Sequence, residues 1–311
     1  MGQKINPNIL RLGVYKNWKT EFFEKKKKEL PLYIFKDLEI QNFLEKFLER
    51  EKIFIHNYSQ YFTNNTISLF ISYFVPIKSN FNTTLSGNKK LYLLSSSFKK
   101  KSVCYNYNKN NILLEYNFFN KKLYKFKKYL KYPFKNFSFN LNKNLLENML
   151  QIISNFMLNK VNIKITFSCI NKNLNVFKIK RKIKVLKKFQ AAPFYKDGLE
   201  WLFNIAFNKN SARLLAKFIS VQLKTTSNRP KLLLAFIKNT LKILLFSKLC
   251  VFKGVKIVLK GRLTKGPRAK HKILVIGDVP VQKLNCNIDY FQTTTHNNKG
   301  SFGIKVWIIE K

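Results

Sequence analysis

Charge limits what this chain can fold into on its own. Lys and Arg number 59 against 15 Asp and Glu, a formal net charge of +44. A compact state carrying that much like charge repels itself, so a polyanion is expected nearby: RNA, DNA or an anionic membrane surface. Of the 311 residues 46% are hydrophobic, enough to bury a core and too many for a disordered basic tail. That length suggests about two domains. A surface that neutralises many phosphates releases their counterions, and so binds tightly with little sequence preference.

A membrane span needs about 20 consecutive apolar residues. The longest uncharged stretch, Asn57 to Ile77, carries Ser, Thr, Asn and Gln throughout and reads as strands with loops. The Leu-rich segment Leu232 to Leu245 is interrupted by Lys238 and Lys242 and reads as an amphipathic helix. No membrane span is therefore expected. Cys104, Cys169, Cys250 and Cys286 lie far apart, and His56, His271 and His296 complete the histidine inventory. With no Cys-x-x-Cys pair and no His at ligand spacing, neither a zinc site nor a disulfide framework is expected, which fits a reducing compartment. No catalytic residue, metal or cofactor is expected either. The 30 Phe and 14 Tyr accompany abundant Lys, Asn and Ile, all written with A/T-rich codons. Nucleotide bias accounts for most of these aromatics and hints at an organellar genome.

Along the chain, apolar Ile34, Leu38, Phe43, Leu44, Phe47 and Leu48 recur at helical spacing between Leu32 and Arg50. Ile67 to Tyr73 is strand-like. Lys78 to Asn136 is rich in Asn, Lys and Ser with weak periodicity and reads as an insertion, partly disordered or folded against RNA. Within it the run Lys121 to Lys135 interleaves Lys with Tyr and Phe; it either tracks a nucleic-acid backbone and stacks bases or is a solvated, compositionally biased loop. Leu145, Leu146, Met149, Ile152, Ile153 and Phe156 mark a helix stripe, and Val161 to Phe167 alternates as a half-buried strand does. A helix begins at Ser211, a plausible N-cap, and buries Leu214, Leu215, Phe218, Ile219 and Leu223. Pro230 opens another helix to about Ser247, with Lys231, Lys238 and Lys242 on one face. The rest is β-rich: Val255 to Lys260, Ile273 to Ile276, Ile288 to Phe291 and Gly303 to Ile309, separated by Gly, Pro, Asn and Asp turn residues. Two α+β domains follow from that order.

Both ends of the chain then resemble one family. The opening Met1-Gly2-Gln3-Lys4, Pro7 and Arg11-Leu12-Gly13 resembles the start of the small-subunit ribosomal proteins of the universal S-three family. Gly254-Val255-Lys256-Ile257, Gly261-Arg262-Leu263, Ala269, Pro280, Leu284, Ile288-Asp289-Tyr290, His296, Gly300 and Gly303 to Ile308 resemble its close, in register. The resemblance implies an N-terminal KH type II-like domain and a C-terminal α+β domain with a mainly antiparallel sheet. The expected division is 1–58 as N-terminal extension and helix, 59–190 as KH-like domain with an insertion at about 78–136, and 191–311 as C-terminal domain. It implies a structural, non-enzymatic role in the head of the small subunit: binding small-subunit rRNA, lining the channel where mRNA enters, and touching head proteins of families ten and fourteen. Lys4, Arg11, Arg262, Lys265, Arg268, Lys270 and Lys272 are the expected rRNA contacts. For Arg262 the alternative is a salt bridge to Asp278 or Asp289. Arg229, Lys231, Lys238 and Lys242 are the expected mRNA-facing set. His296 is expected to be a turn or hydrogen-bonding residue, and Trp307 to fill the core.

Two departures from the family are visible. A KH domain clamps nucleotides with a Gly-x-x-Gly loop, whereas Tyr73 is followed here by Phe74-Val75-Pro76-Ile77-Lys78, with Gly87 alone downstream. The KH domain is therefore expected to be degenerate. The mRNA-facing cations are interrupted by Pro230 and a Leu run, which weakens any expectation of mRNA unwinding. No presequence precedes the family-like start, so local encoding in a mitochondrion, or alternatively a plastid, is expected. The alternatives are a maturase- or nuclease-like RNA-processing factor, which would need clustered carboxylates for metal-assisted chemistry, and a basic membrane-surface protein.

Overall fold

The computed structural model describes residues 5–24, 26, 28–63, 65–76, 143–158, 161–171, 184–209, 211–225, 230–247, 250–262, 268–297 and 300–311, with the backbone of 90–95. They form two sheets, each with helices and its own core. The architecture is α+β, as the order of elements in the sequence suggests.

The first sheet runs β1 (Thr20–Glu21), β2 (Phe54–Phe62), β3 (Thr66–Phe74), β5 (Asn162–Cys169) and β4 (Lys90–Ser95) in space. β2 and β3 are antiparallel, which makes the uncharged stretch after Asn57 a strand pair. β3 and β5 are parallel, from Thr66 beside Asn162 to Tyr73 beside Cys169. Parallel neighbours cannot be joined by a hairpin and need a crossover, and α3 (Lys143–Phe156) lies on it. Ile163, Ile165 and Phe167 of β5 point into a core shared with Leu146, Met149 and Ile153 of α3 and with Ile40, Leu44 and Leu48 of α2 (Leu30–Arg50). Burying each such Leu or Ile contributes roughly 1.5–3 kcal/mol.

The helical spacing is followed only in part. Ile34 and Leu38 of α2 are 45% and 52% exposed, because the first turns of α2 face the sheet through Tyr33, which packs on Phe22 and Phe62, and Asp37, which bonds Thr20 and Tyr58. Ile40 is the first buried apolar residue of the helix. Part of the expected insertion is also sheet: Lys90–Ser95 pairs antiparallel with β5. The Lys121 to Lys135 run and the rest of that segment lie outside the described residues.

The second sheet is wholly antiparallel, in the order β7 (Lys270–Gly277), β6 (Phe252–Gly261), β9 (Gly300–Glu310), β8 (Ile288–Asn297). One face is covered by α4 (Tyr195–Phe207), α5 (Ala212–Thr225) and α6 (Pro230–Leu245). Sequence periodicity did not mark α4. Trp201, Leu202, Phe203, Asn204, Ile205 and Ala206 are all buried, so its second half is enclosed all round, and Gly198 sits inside the helix. That glycine is a packing requirement: a Cβ there would stand 2.7 Å from the Phe236 ring and 3.2 Å from Phe218. The cap of α5 also differs from expectation. Ser211 donates its hydroxyl to the Ile205 carbonyl (3.1 Å), and the first-turn N–H of Ala212 donates instead to the Asp289 carboxylate (2.7 Å).

The two cores meet at one aromatic wedge. Phe54 and Phe74, from the ends of β2 and β3, each pack edge-on against Trp201 with centroids 4.7 Å apart, inside the second core. Beside this wedge, Arg213 and Lys217 of α5 form ion pairs with Glu45 and Glu49 of α2. Burial pushes the Glu45 carboxyl up, but Arg213 and Lys217 outweigh it and hold the group below its ordinary range.

Candidate nucleic-acid interface

The side chains expected to touch RNA fall into three structural situations. Arg11, singled out as a phosphate contact, is 1% exposed. It follows α1 (Pro7–Leu10), and its guanidinium donates to main-chain carbonyls: Nε to Cys286 (2.8 Å), Nη1 to Pro7 (3.2 Å), and Nη2 to Lys283 (2.6 Å) and Val281 (3.3 Å). Its planar fork of donors suits several carbonyls at once. Arg11 is thus a staple holding the turn before β8, and its expected role as a surface cation is corrected. Asn8 works beside it: its amide donates to the Tyr290 carbonyl (2.8 Å) and accepts from the Tyr290 N–H (3.3 Å), pairing an edge-strand residue that would otherwise present bare main-chain groups.

The second situation is the turn end of the β6–β7 hairpin. Lys270 pairs with Gly261, and His271 with Lys260. Arg262, Arg268, Lys270 and Lys272 are exposed there, and so is Lys260, which sequence reasoning passed over although its outward place in the alternation of β6 was visible. Inward Leu274 and Ile276 anchor β7 in the core, so Lys270 and Lys272 stand on an anchored strand, with Arg262 and Arg268 just beyond the ends of β6 and β7. The carboxylates considered for Arg262 are engaged elsewhere. Asp278 lies 4.0 Å from Lys253, and Asp289 lies 3.7 Å from Lys16 while capping α5. Lys4 and Lys265 lie outside the described residues.

The third is α6. Lys231, Lys238 and Lys242 are all exposed, and Leu233, Leu234, Phe236, Ile237, Leu241 and Leu244 fill the buried face. The helix packs on the hairpin strand β7, so the two cationic groups share one scaffold. Arg229 lies outside the described residues.

The outer face of the second sheet holds Trp307, which does not fill the core. It is half-buried, 5.1 Å from the Tyr290 ring and with the Lys256 ammonium 5.5 Å from its centroid. Strand alternation explains this: Val306 and Ile308 point inward, so Trp307 must point out. His296 sits at the end of β8, opposite Ser301.

Cys169, Cys250 and Cys286 are free thiols, and burial pushes those of Cys169 and Cys250 up, which favours the unreactive protonated form. Cys104 lies outside the described residues. Among the described residues, no group of three or more His, Cys, Asp and Glu side chains could hold a metal ion, and no helix is long and apolar enough to cross a membrane.

Comparison with known proteins bears on this same region. Residues 236–308, from the middle of α6 to β9, match the family model for the C-terminal domain of ribosomal protein S3. The small ribosomal subunit protein uS3 of Karelsulcia muelleri is 31% identical over 147 residues, 47% of this chain and 62% of that protein. The uS3c protein of Euglena longa is 46% identical over 56 residues, 18% of this chain and 26% of that protein. Neither alignment reaches two thirds of the relative's length. The uS3 protein of Elm yellows phytoplasma is 25% identical over 308 residues, 99% of this chain and 82% of that protein. With its C-terminal sheet matched by that family model and 99% of its length aligned with the phytoplasma uS3 protein at 25% identity, the chain is similar to ribosomal protein S3.

Proposed function

We propose that the chain is a structural constituent of the small ribosomal subunit that holds small-subunit rRNA by charge neutralisation and shape, with no reaction of its own. The observation that carries this reading is the exposed cluster Arg262, Arg268, Lys270 and Lys272 at the turn end of the β6–β7 hairpin, inside the matched segment. Phosphate contacts of this kind position a protein on RNA without reading its sequence. Lys4 and Lys265 belong to the same proposed set. The exposed α6 face, with Arg229, Lys231, Lys238 and Lys242, is proposed to line the channel where mRNA enters, and neighbouring head proteins of families ten and fourteen are proposed partners.

The KH-like reading is supported by α2, β2, β3, α3 and β5 gathered around one core, with β4 inserted between β3 and α3. The domain boundaries 1–58, 59–190 and 191–311 belong to the same proposal. The A/T-rich composition supports an organellar ribosome, mitochondrial in our reading and plastid as the alternative; the relatives in Euglena longa, Chara vulgaris and phytoplasmas are compatible with that and with a bacterial setting.

The test is to tag the chain in its source cells and fractionate lysates on a gradient at ribosome-preserving salt. We expect the chain to travel with the small subunit. Recovery only in light fractions, with intact small subunits lacking it, would overturn the reading.

A further inference from the structure

Between the two units lies a cleft of about 830 Å³. Its walls come from the segment after α1, the start of α2, strand β2, α5 and β8, so neither unit forms it alone. That volume falls within the range of roughly 300–1,000 Å³ that small-ligand sites occupy.

The charges in the cleft are not balanced. Two carboxylates line it, and both are engaged. Asp37 accepts the hydroxyls of Thr20 (2.7 Å) and Tyr58 (3.2 Å), and Asp289 accepts the Ala212 N–H and faces Lys16. Arg213 is turned toward Glu45. Lys19 differs from these groups: among the described residues its ammonium makes neither an ion pair nor a hydrogen bond. It is open to solvent along the cleft yet surrounded by its walls. That burial, followed by Arg213, pushes its ammonium down from the ordinary lysine value against the opposite pull of Asp289 and Glu45. An anion in the cleft would relieve this environment. Next to Lys19 in the chain, Trp18 also lines the cleft and is 65% exposed, with no ring partner among the described residues. A large aromatic left open beside an uncompensated cation has the two features that hold a nucleotide: a stacking face and a phosphate counter-charge.

We infer that this cleft holds one nucleotide of an RNA strand, its phosphate against Lys19 and its base against Trp18. This rests on the RNA-binding reading above and adds to it a second site, about one nucleotide in size and separate from the hairpin cations. Both side chains are exposed, so their removal leaves the fold intact, which circular dichroism checks.

The experiment uses the full chain and a fluorescent uridine tetranucleotide, with AMP and inorganic phosphate as competitors. Trp18→Ala is expected to weaken tetranucleotide binding about tenfold, on the scale of one lost base stack. Lys19→Met is expected to weaken it about fivefold, beyond the change made by Lys46→Met, which removes an exposed cation of α2 remote from the cleft. Equal losses in Lys19→Met and Lys46→Met, with Trp18→Ala unchanged, would overturn the inference. Full competition by AMP or phosphate at matching concentration would assign the cleft to a free anion and overturn the strand reading. Binding of a long small-subunit rRNA fragment is measured in parallel. If the fragment still binds while the tetranucleotide does not respond to the cleft variants, the cleft inference alone fails.

Discussion

The two units solve the same packing problem with different reach along the chain. In the second, β6 with β7 and β8 with β9 form two antiparallel hairpins of consecutive strands, which join through β6 and β9, and the three helices packed with them come just before. In the first, β3 lies beside β5, whose partner residues are separated from it by most of a hundred positions of chain. Antiparallel neighbours can be joined by short turns, so their register is specified locally; a parallel pair depends on a long closure that local sequence does not encode. This difference matches where likeness to the family is concentrated, at residues 236–308 in the second unit. It also suggests a division of labour: the second unit as the firm platform for the exposed cations, and the first as a body fastened to it by Trp201, Arg11 and the Glu45 ion pairs.

The fastening can be broken in graded steps. Trp201→Ala should have the largest effect, because it empties the space between Phe54, Phe74 and Phe218 where the cores meet. A loss of about 3–5 kcal/mol is expected in urea unfolding. A single transition moving as a whole would mean that the units unfold together, whereas a split into two would mean that the wedge alone couples them. Arg11→Met should cost about 2 kcal/mol by leaving its carbonyl partners without their donors. Arg11→Lys should recover little of this, since an ammonium cannot reproduce the planar fork.

The Glu45 bridge adds a pH dependence. Its carboxyl is held below the ordinary range in the folded chain, so the folded state binds its proton less readily than the unfolded state. The stabilisation is therefore complete above the ordinary carboxylate value and is lost as pH falls through the lowered one. Glu45→Gln should cost about 1–2 kcal/mol at neutral pH and flatten the acid limb of stability against pH. Smallest of all, Lys270→Gln with Lys272→Gln should change stability by no more than about 0.5 kcal/mol, because both side chains are exposed.

Much of this comparison was legible in the sequence. The alternation of β5 and the stripes of α5 and α6 were visible because polar side chains fall between the apolar ones at the expected spacing, even in α5, where Arg213 and Ser220 are buried as well. Legibility failed elsewhere. α4 is surrounded by apolar partners and so shows no period. Ile34 and Leu38 keep the period of α2 but are exposed, since Tyr33 and Asp37 make the contacts with the sheet there. The candidate site was legible to the same degree. Lys270 and Lys272 could be placed on a strand end, but nothing in a lone Arg11 reveals that the carbonyls around residues 281–286 will enclose it. An arginine looks the same in sequence whether its donors face phosphate or main chain. Trp307 was misplaced by residue type, where the alternation of its neighbours pointed outward.

The central claim is that the hairpin end of the second unit grips RNA phosphates while Arg11, for all its charge, does not. It is tested most directly by the salt dependence of binding to a small-subunit rRNA fragment, for the native chain and for a variant with Arg262, Arg268, Lys270 and Lys272 all changed to Gln. Each lost phosphate contact should reduce the slope of log affinity against log salt by roughly 0.7–0.9. We predict a slope shallower by about 3 with unfolding unchanged, on the same basis. A variant that keeps the native slope and affinity would contradict the account and move the RNA-binding surface elsewhere on the molecule.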